Sequence, residues 1–216
     1  MIVFGDYCNR LYLSDNKIDG TIDISNPEWP SKIVGEYPAW LWLSNNIREC
    51  DFASLSHYRR KLPLSIAHVV LPFPMMFKCT ILEQVAYYHS PILAEAMVKT
   101  LNPTELAIMN DNKLMCWNIF KAPQPLIKQW CEYCGNKLKL LSDNLKCPID
   151  IDSVHKFVKT KSNGFLTPYE GKNVDLVYQS RFYACALERY SNCFWTMYQG
   201  PKDFKQVKFL EPGQTI

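Results

Sequence analysis

The sequence predicts an α/β fold: a single domain over residues 1–199 with a mostly parallel sheet flanked by helices, and a loosely packed tail over residues 200–216. Three observations carry this reading. Short apolar runs stopped by polar residues or proline alternate with longer helical patterns. Two of the helical patterns open on side-chain caps. The chain of 216 residues is 48% hydrophobic, enough for a sizeable core without disulfides or a structural metal.

The first strand candidate is "MIVFG", ended by Gly5 and Asp6. Residues 14–35 are polar, carry Pro27 and Pro30, and read as a long loop. "EYPAWLWLSNNI", Glu36 to Ile47, reads as a helix, with Pro38 in the first turn, where a missing N–H costs little. "DFASLS" alternates and reads as a strand ending at a basic cluster, and "AHVVLP" as a buried strand ended by proline. In "TILEQVAYYH" a threonine stands three residues before Glu83, the pattern of a capping box. "SPILAEAMVKTL" repeats the signal, with Ser90 as cap and Pro91 at the first helical position.

"KLMCWNIFKAP", Lys113 to Pro123, is apolar, aromatic and stopped by proline, which predicts a strand containing Trp117 and Asn118. Ile127, Trp130, Cys131, Cys134, Leu138 and Leu141 then recur at spacings of three and four, one buried face of a helix. Residues 142–173 read as irregular and polar. Asp175 to Tyr198, free of Gly and Pro, reads as one long helix.

Composition removes several classes. There are 24 basic and 21 acidic residues and a net charge of +3, which gives no general affinity for nucleic acid. Nine scattered cysteines without a secretory leader read as reduced thiols, so the expected location is cytoplasmic. No apolar run approaches the roughly 20 residues of a membrane-spanning helix. Eight glycines form no dinucleotide-binding or P-loop pattern.

The chemistry-bearing stretch is "SLSHYRRKL", where the strand ends in His57, Tyr58, Arg59 and Arg60. Ligands of open α/β sheets bind at the carboxyl ends of strands. Guanidinium groups there can bond two phosphate oxygens at once and stay charged. The bland alternative is a structural cluster in which Arg59 or Arg60 pairs with a carboxylate such as Asp51. Cys131, Cys134, Cys147 and His155 have a loose zinc spacing, though the first two fall within a helical pattern. Asp150 and Asp152 form an Asp-x-Asp that reads as a solvated turn.

Three blocks carry a resemblance. "GEYPAWLWLSNNIRECDFASLSHYRRKL", "LMCWNIFKAPQPLIKQWCEY" and "YQSRFYACALERY" resemble, in order, the motifs of a glycosyltransferase-like family of capsule and surface-polysaccharide clusters. Together they span roughly residues 24–199. "GDYCNR" does not match that family's His-Lys element, and Ile119, Phe120 and Lys121 stand where its second block has Met-Phe-Ile. The family is similar to nucleotide-sugar transferases of the A-type, Rossmann-like fold. In those, a strand usually ends in a metal-holding Asp-x-Asp; here it ends in HYRR.

The resemblance implies that His57, Arg59, Arg60, Asn118 and Glu36 bind the donor. It implies Glu188 as the catalytic base, the alternative being a buried ion pair with Arg189 or Arg181, and Arg181 on the same helix face; Asp111 and Asp175 are further carboxylates that could act as base, and Trp117, beside Asn118, is the candidate acceptor contact, the alternative being a core aromatic. The implied donor is a nucleotide sugar and no cofactor is strictly required, with a divalent metal (Mn or Mg) left open. The implied acceptor is a glycan or, as in some phages, a hydroxymethylated DNA base; Lys137, Lys139, Lys146 and the stretch from His155 to Lys161 could follow a phosphate backbone. The alternative is a non-catalytic relative that binds nucleotide sugar or glycan.

Overall fold

The structure is a computed structural model that describes residues 2–5, 11–12, 22–23, 26–49, 52–56, 60–63 and 65–209. In chain order the elements begin with β1 (Ile2–Gly5), β2 (Leu11–Tyr12), β3 (Ile22–Asp23), α1 (Ser31–Val34) and α2 (Tyr37–Asn46). β4 (Phe52–Ser56), β5 (Arg60–Lys61), β6 (Val70–Pro72) and β7 (Met75–Met76) follow. Next come α3 (Ile81–Tyr88), α4 (Pro91–Val98), α5 (Pro103–Met109), β8 (Lys113–Leu114) and β9 (Lys121–Pro123). The chain then runs through α6 (Gln124–Leu145), α7 (Ile151–Lys159), α8 (Leu176–Gln179), α9 (Phe182–Met197), β10 (Asp203–Lys205) and β11 (Lys208–Phe209).

The central sheet has the order β1-β4-β9-β6-β10. β4 is antiparallel to β1 and to β9, and β6 is antiparallel to β9; only β6 and β10 are parallel. This corrects the mostly parallel sheet expected from sequence. Alternation of strands and helices identifies the elements but does not fix the direction in which each connection returns. β9 is entered from a tight turn and runs back between β4 and β6. A consequence matters for the site: β4, β6 and β10 all point their carboxyl ends the same way, toward the segment that leads into β9.

Local signals hold where caps or an amphipathic period set them. Thr80 Oγ1 accepts from Glu83 N at 3.2 Å, and Glu83 Oε2 accepts from Thr80 N at 2.8 Å, a complete capping box. Ser90 caps α4 through Ile92 N. A second capping box, Asn102 with Glu105, opens α5; the sequence "NPTE" carried that signal unread.

Three expectations are corrected. Residues 142–173 are not irregular throughout: Asp150 accepts from Ser153 N at 2.8 Å and starts α7, which buries Val154 and Val158. The long final helix is two, turning at Ser180 and Arg181, because the Gln179 amide ties α8 to the end of α3 through Tyr88 O at 2.9 Å. The tail is not loose over residues 203–205, which form the β10 edge of the sheet.

The core lies between the sheet and α2, α6 and α9. All six residues expected on the buried face of α6 are buried. Trp40 stacks on Phe120 with centroids 3.7 Å apart and planes 3° apart, and Phe120 meets Trp195 at 4.7 Å and Trp130 at 5.1 Å. α2 approaches α6 closely through Tyr37, whose hydroxyl donates to Cys131 O at 2.8 Å. A Cβ at Gly135 would collide with that hydroxyl. Gly135→Ala is therefore expected to cost about 1–3 kcal/mol by overpacking. Combined with Tyr37→Phe, which removes the colliding oxygen, the two losses should be less than additive in a chemical-denaturation cycle; strict additivity would refute the contact.

Candidate functional site

The site is built around the turn that enters β9. Trp117 and Asn118 have φ values of 76° and 48°. Asn tolerates this left-handed region, whereas for a bulky residue such as Trp it carries strain on the order of 1–3 kcal/mol. Surrounding contacts hold it there. Trp40 Nε1–H donates to Asn118 O at 3.0 Å. Two residues on, Phe120 lies in the Trp40 stack. Trp117 packs edge-on against Phe209 at 5.7 Å, and Ile119 joins a small cluster with Leu62, Val70 and Val207.

The turn buries the Asn118 side chain to 3% exposure; neither its Oδ1 nor its Nδ2 has a partner at full hydrogen-bond geometry, and the Glu36 carboxyl beside it is in looser contact. An amide desolvated without partners is costly, which makes this an unusual place to keep one.

Facing that amide is Glu36, the residue immediately before α2. Burial pushes its pKa above the usual carboxylate range, and the nearby Glu188 carboxylate pushes it further. The Glu36 backbone N–H, the Arg181 charge and the Asn118 amide pull the other way without cancelling the rise. Glu36, Asn118, Arg181 and Glu188 therefore form one electrostatic cluster. Arg181 is exposed at the start of α9.

Glu188 Oε2 accepts from Arg189 Nη1 at 2.9 Å. The buried Arg189 also donates to Gln84 Oε1 at 2.6 Å and to Cys185 O at 3.2 Å, and its Nε has no partner. Behind this lies His89, with Nδ1 3.1 Å from Gln179 Oε1. Burial, reinforced by the Arg189 charge, pushes its pKa down to about 3, so the imidazole is neutral at pH 7.

The structure thus brings together four of the residues singled out in the sequence: Glu36, Asn118, Arg181 and Glu188. Asn118 sits in a turn before β9, not within a strand as expected. His57 and Arg59 lie outside the described residues. Arg60 lies in β5, paired with Phe209 of β11, and Phe209 touches Trp117, so the ribbon that begins at Arg60 borders the turn. Asp175 caps α8, its Oδ1 accepting from Tyr178 N at 2.9 Å. Gln84, His89 and Gln179 were not singled out in the sequence, because no spacing marks a lone polar residue as a buried partner.

Other candidates resolve as scaffolding. Cys131 and Cys134 are buried on α6, and desolvation raises both thiols, Cys131 to about 12. Among the described residues no group of three or more His, Cys, Asp or Glu side chains is placed to hold a metal ion. Lys137 bonds Glu105 at 2.5 Å and Thr100 O at 2.6 Å, which ties it to the scaffold. Among the described residues no helix is long and apolar enough to cross a membrane.

Comparison with solved structures gives the fold a relative. The fold is similar to that of a glycosyltransferase. The match is to the apo structure of the WbbM bifunctional glycosyltransferase, with a TM-score of 0.66 over 94% of this chain and 14% sequence identity. The chain spans 42% of that protein's length. No protein-family model matches the chain, and no curated protein matches it in sequence. The similarity is therefore one of fold, and it supports the transferase-like α/β architecture without extending to donor or acceptor.

The raised proton affinity of Glu36 has a sign that can be tested. A carboxyl group whose pKa is higher folded than unfolded stabilises the fold while protonated, and that stability is lost as pH rises through the folded value. Glu36→Gln, which cannot ionise, should match the native melting temperature at pH 4 and exceed it at pH 8. A difference that stays constant across that range would show that Glu36 is not held in this environment.

Proposed function

We propose that the chain is a glycosyltransferase that moves a sugar from a nucleotide-diphosphate donor to the hydroxyl of a glycan acceptor. The observation that carries this is the buried amide of Asn118, set beside the Glu36 and Glu188 carboxyls and Arg181 at the end of the sheet where β4 finishes. The likeness in fold to a bifunctional glycosyltransferase supports it.

On this reading His57, Arg59 and Arg60 meet the donor diphosphate. The charge that grows on the leaving group as its bond to the anomeric carbon breaks is met by fixed cations in place of a metal ion. Asn118 offers a donor and an acceptor to sugar hydroxyls, and Trp117 lines the acceptor side. In a single displacement, the acceptor oxygen bonds the anomeric carbon and its proton passes to a carboxylate. Glu36 suits that role because its environment raises its proton affinity. Glu188, paired to Arg189, keeps a second charge beside it, and Arg181 balances the pair. Asp175 is left as a cap. A modified-DNA acceptor finds less support, since Lys137 is already bonded within the fold.

The test is a thermal-shift series with UDP-, GDP-, CMP- and dTDP-sugars, each with EDTA and with manganese, followed by donor turnover for the stabilising nucleotide. A ligand that binds only the folded chain raises its melting temperature. One donor class should stabilise in EDTA. Arg59→Ala and Asn118→Ala should each lower turnover, Arg59→Ala by about 100-fold or more, the scale of one lost transition-state contact. Stabilisation that appears only with manganese would move the diphosphate onto a metal site. Failure of every donor to bind would favour the non-catalytic relative.

A further inference from the structure

Next to the candidate site the chain exposes an aromatic surface that the reaction scheme above does not use. It comprises Tyr87 and Tyr88 at the end of α3, Tyr169 and Val174 in the segment before α8, and Val177 and Tyr178 on α8, all exposed. Tyr87 meets Tyr88 at 5.0 Å and Tyr169 at 5.2 Å, both edge-to-face.

This surface is held in place from beneath. Gln179, fully buried, donates to Tyr88 O at 2.9 Å and to Asn173 O, and faces His89 Nδ1. The His89 ring in turn stacks on Tyr178, with centroids 5.5 Å apart and planes 3° apart. Lys172 Nζ bonds His89 O at 2.6 Å and Gly164 O at 2.8 Å and lies 4.8 Å from the centre of the Tyr169 ring. Tyr87 donates to Glu170 O at 2.5 Å. Gly171, at φ 77°, leaves room for the Tyr87 hydroxyl that a Cβ would strike. A buried polar network is thus devoted to fixing exposed rings, which is how a surface is made ready for a ligand before the ligand arrives.

The chemistry of the surface points to carbohydrate. Four of the six exposed side chains are phenols, apolar on the ring faces and hydrogen-bonding at the rim. A pyranose is the complement, with C–H groups on its faces and hydroxyls around its edge. At its Tyr178 end the surface adjoins the site. Tyr178 lies within the fields of Glu188 and Arg189, and Ser180 and Arg181 follow it in the chain.

We infer that the Tyr87–Tyr88–Tyr169–Tyr178 surface is the platform on which a neutral oligosaccharide acceptor lies, its reacting end directed to Arg181 and Glu188. The inference rests on the glycosyltransferase reading and adds the acceptor's chemical class and path.

The experiment is calorimetric titration of the full chain with neutral hexasaccharides of glucose, mannose and galactose, alongside the donor thermal shifts. At least one hexasaccharide should bind. Tyr88→Ala and Val177→Asp should each weaken it tenfold or more, with melting temperatures within about 2 °C of native, because both side chains are exposed. The inference is overturned if donors bind but no hexasaccharide does, or if the hexasaccharide binds both variants as well as the native chain. It is also overturned if sedimentation shows a dimer that Val177→Asp dissociates, which would make the surface a subunit interface. If hexasaccharides bind in a platform-dependent way but no donor binds or turns over, the platform stands and the transferase reading falls.

Discussion

The site depends on the hydrogen bond from the Trp40 indole to the carbonyl of Asn118. It joins α2 to the turn before β9, and it is buried where no water can replace it. The same indole stacks on Phe120, so one side chain fixes the turn by a directional bond and by its neighbour two residues later. Because Glu36 immediately precedes the helix that carries Trp40, positioning that helix also positions the carboxylate against Asn118. α6 completes the arrangement through Trp130, which meets both Trp40 and Phe120.

Seen from the sheet, this explains how a mixed topology produces a site expected of a parallel one. Three strands present their carboxyl ends together, and β9 arrives from that same end with Asn118 just ahead of it. What a ligand meets is the set of loops at one end. The directions of the neighbouring strands matter only through which loops are gathered there. Here they gather the turn before β9 and the ribbon of β5 with β11.

The sequence made legible what short-range chemistry decides. The caps at Thr80 and Ser90 and the apolar stripe of α6 are local contests between backbone and side chain, and local residues settle them. Glu36, Asn118, Arg181 and Glu188 could be named because they fall in blocks resembling a known family, but their convergence is a tertiary fact. Asp150 shows the limit: weighed as part of a metal motif, it acts as a cap, since one carboxylate serves either role and only its surroundings choose. The break at Ser180 was hidden for the same reason. Nothing near it disfavours helix; the cause is Gln179 reaching to Tyr88, 91 residues away in the chain.

Two departures from ordinary local rules fall at one point of the molecule. Trp117 adopts a backbone conformation that bulky residues avoid, and Asn118 keeps its amide in the interior with no partner at full hydrogen-bond geometry, only the Glu36 carboxyl beside it. Either alone costs stability, and a chain selected only to fold would replace Trp117 by glycine and Asn118 by something apolar. Strain and an unsatisfied polar group survive together where the surroundings over-determine them and a bound group repays the loss. The surroundings here are the aromatic stack on one side and the Glu36–Glu188 pair on the other. A hydroxylated ligand reaching Asn118 would satisfy both amide atoms in a site where water competes poorly, so each bond made there would discriminate strongly against a ligand lacking the hydroxyl. The strain at Trp117 holds the amide toward the carboxylates, the orientation on which the proposed sugar contact of Asn118 depends.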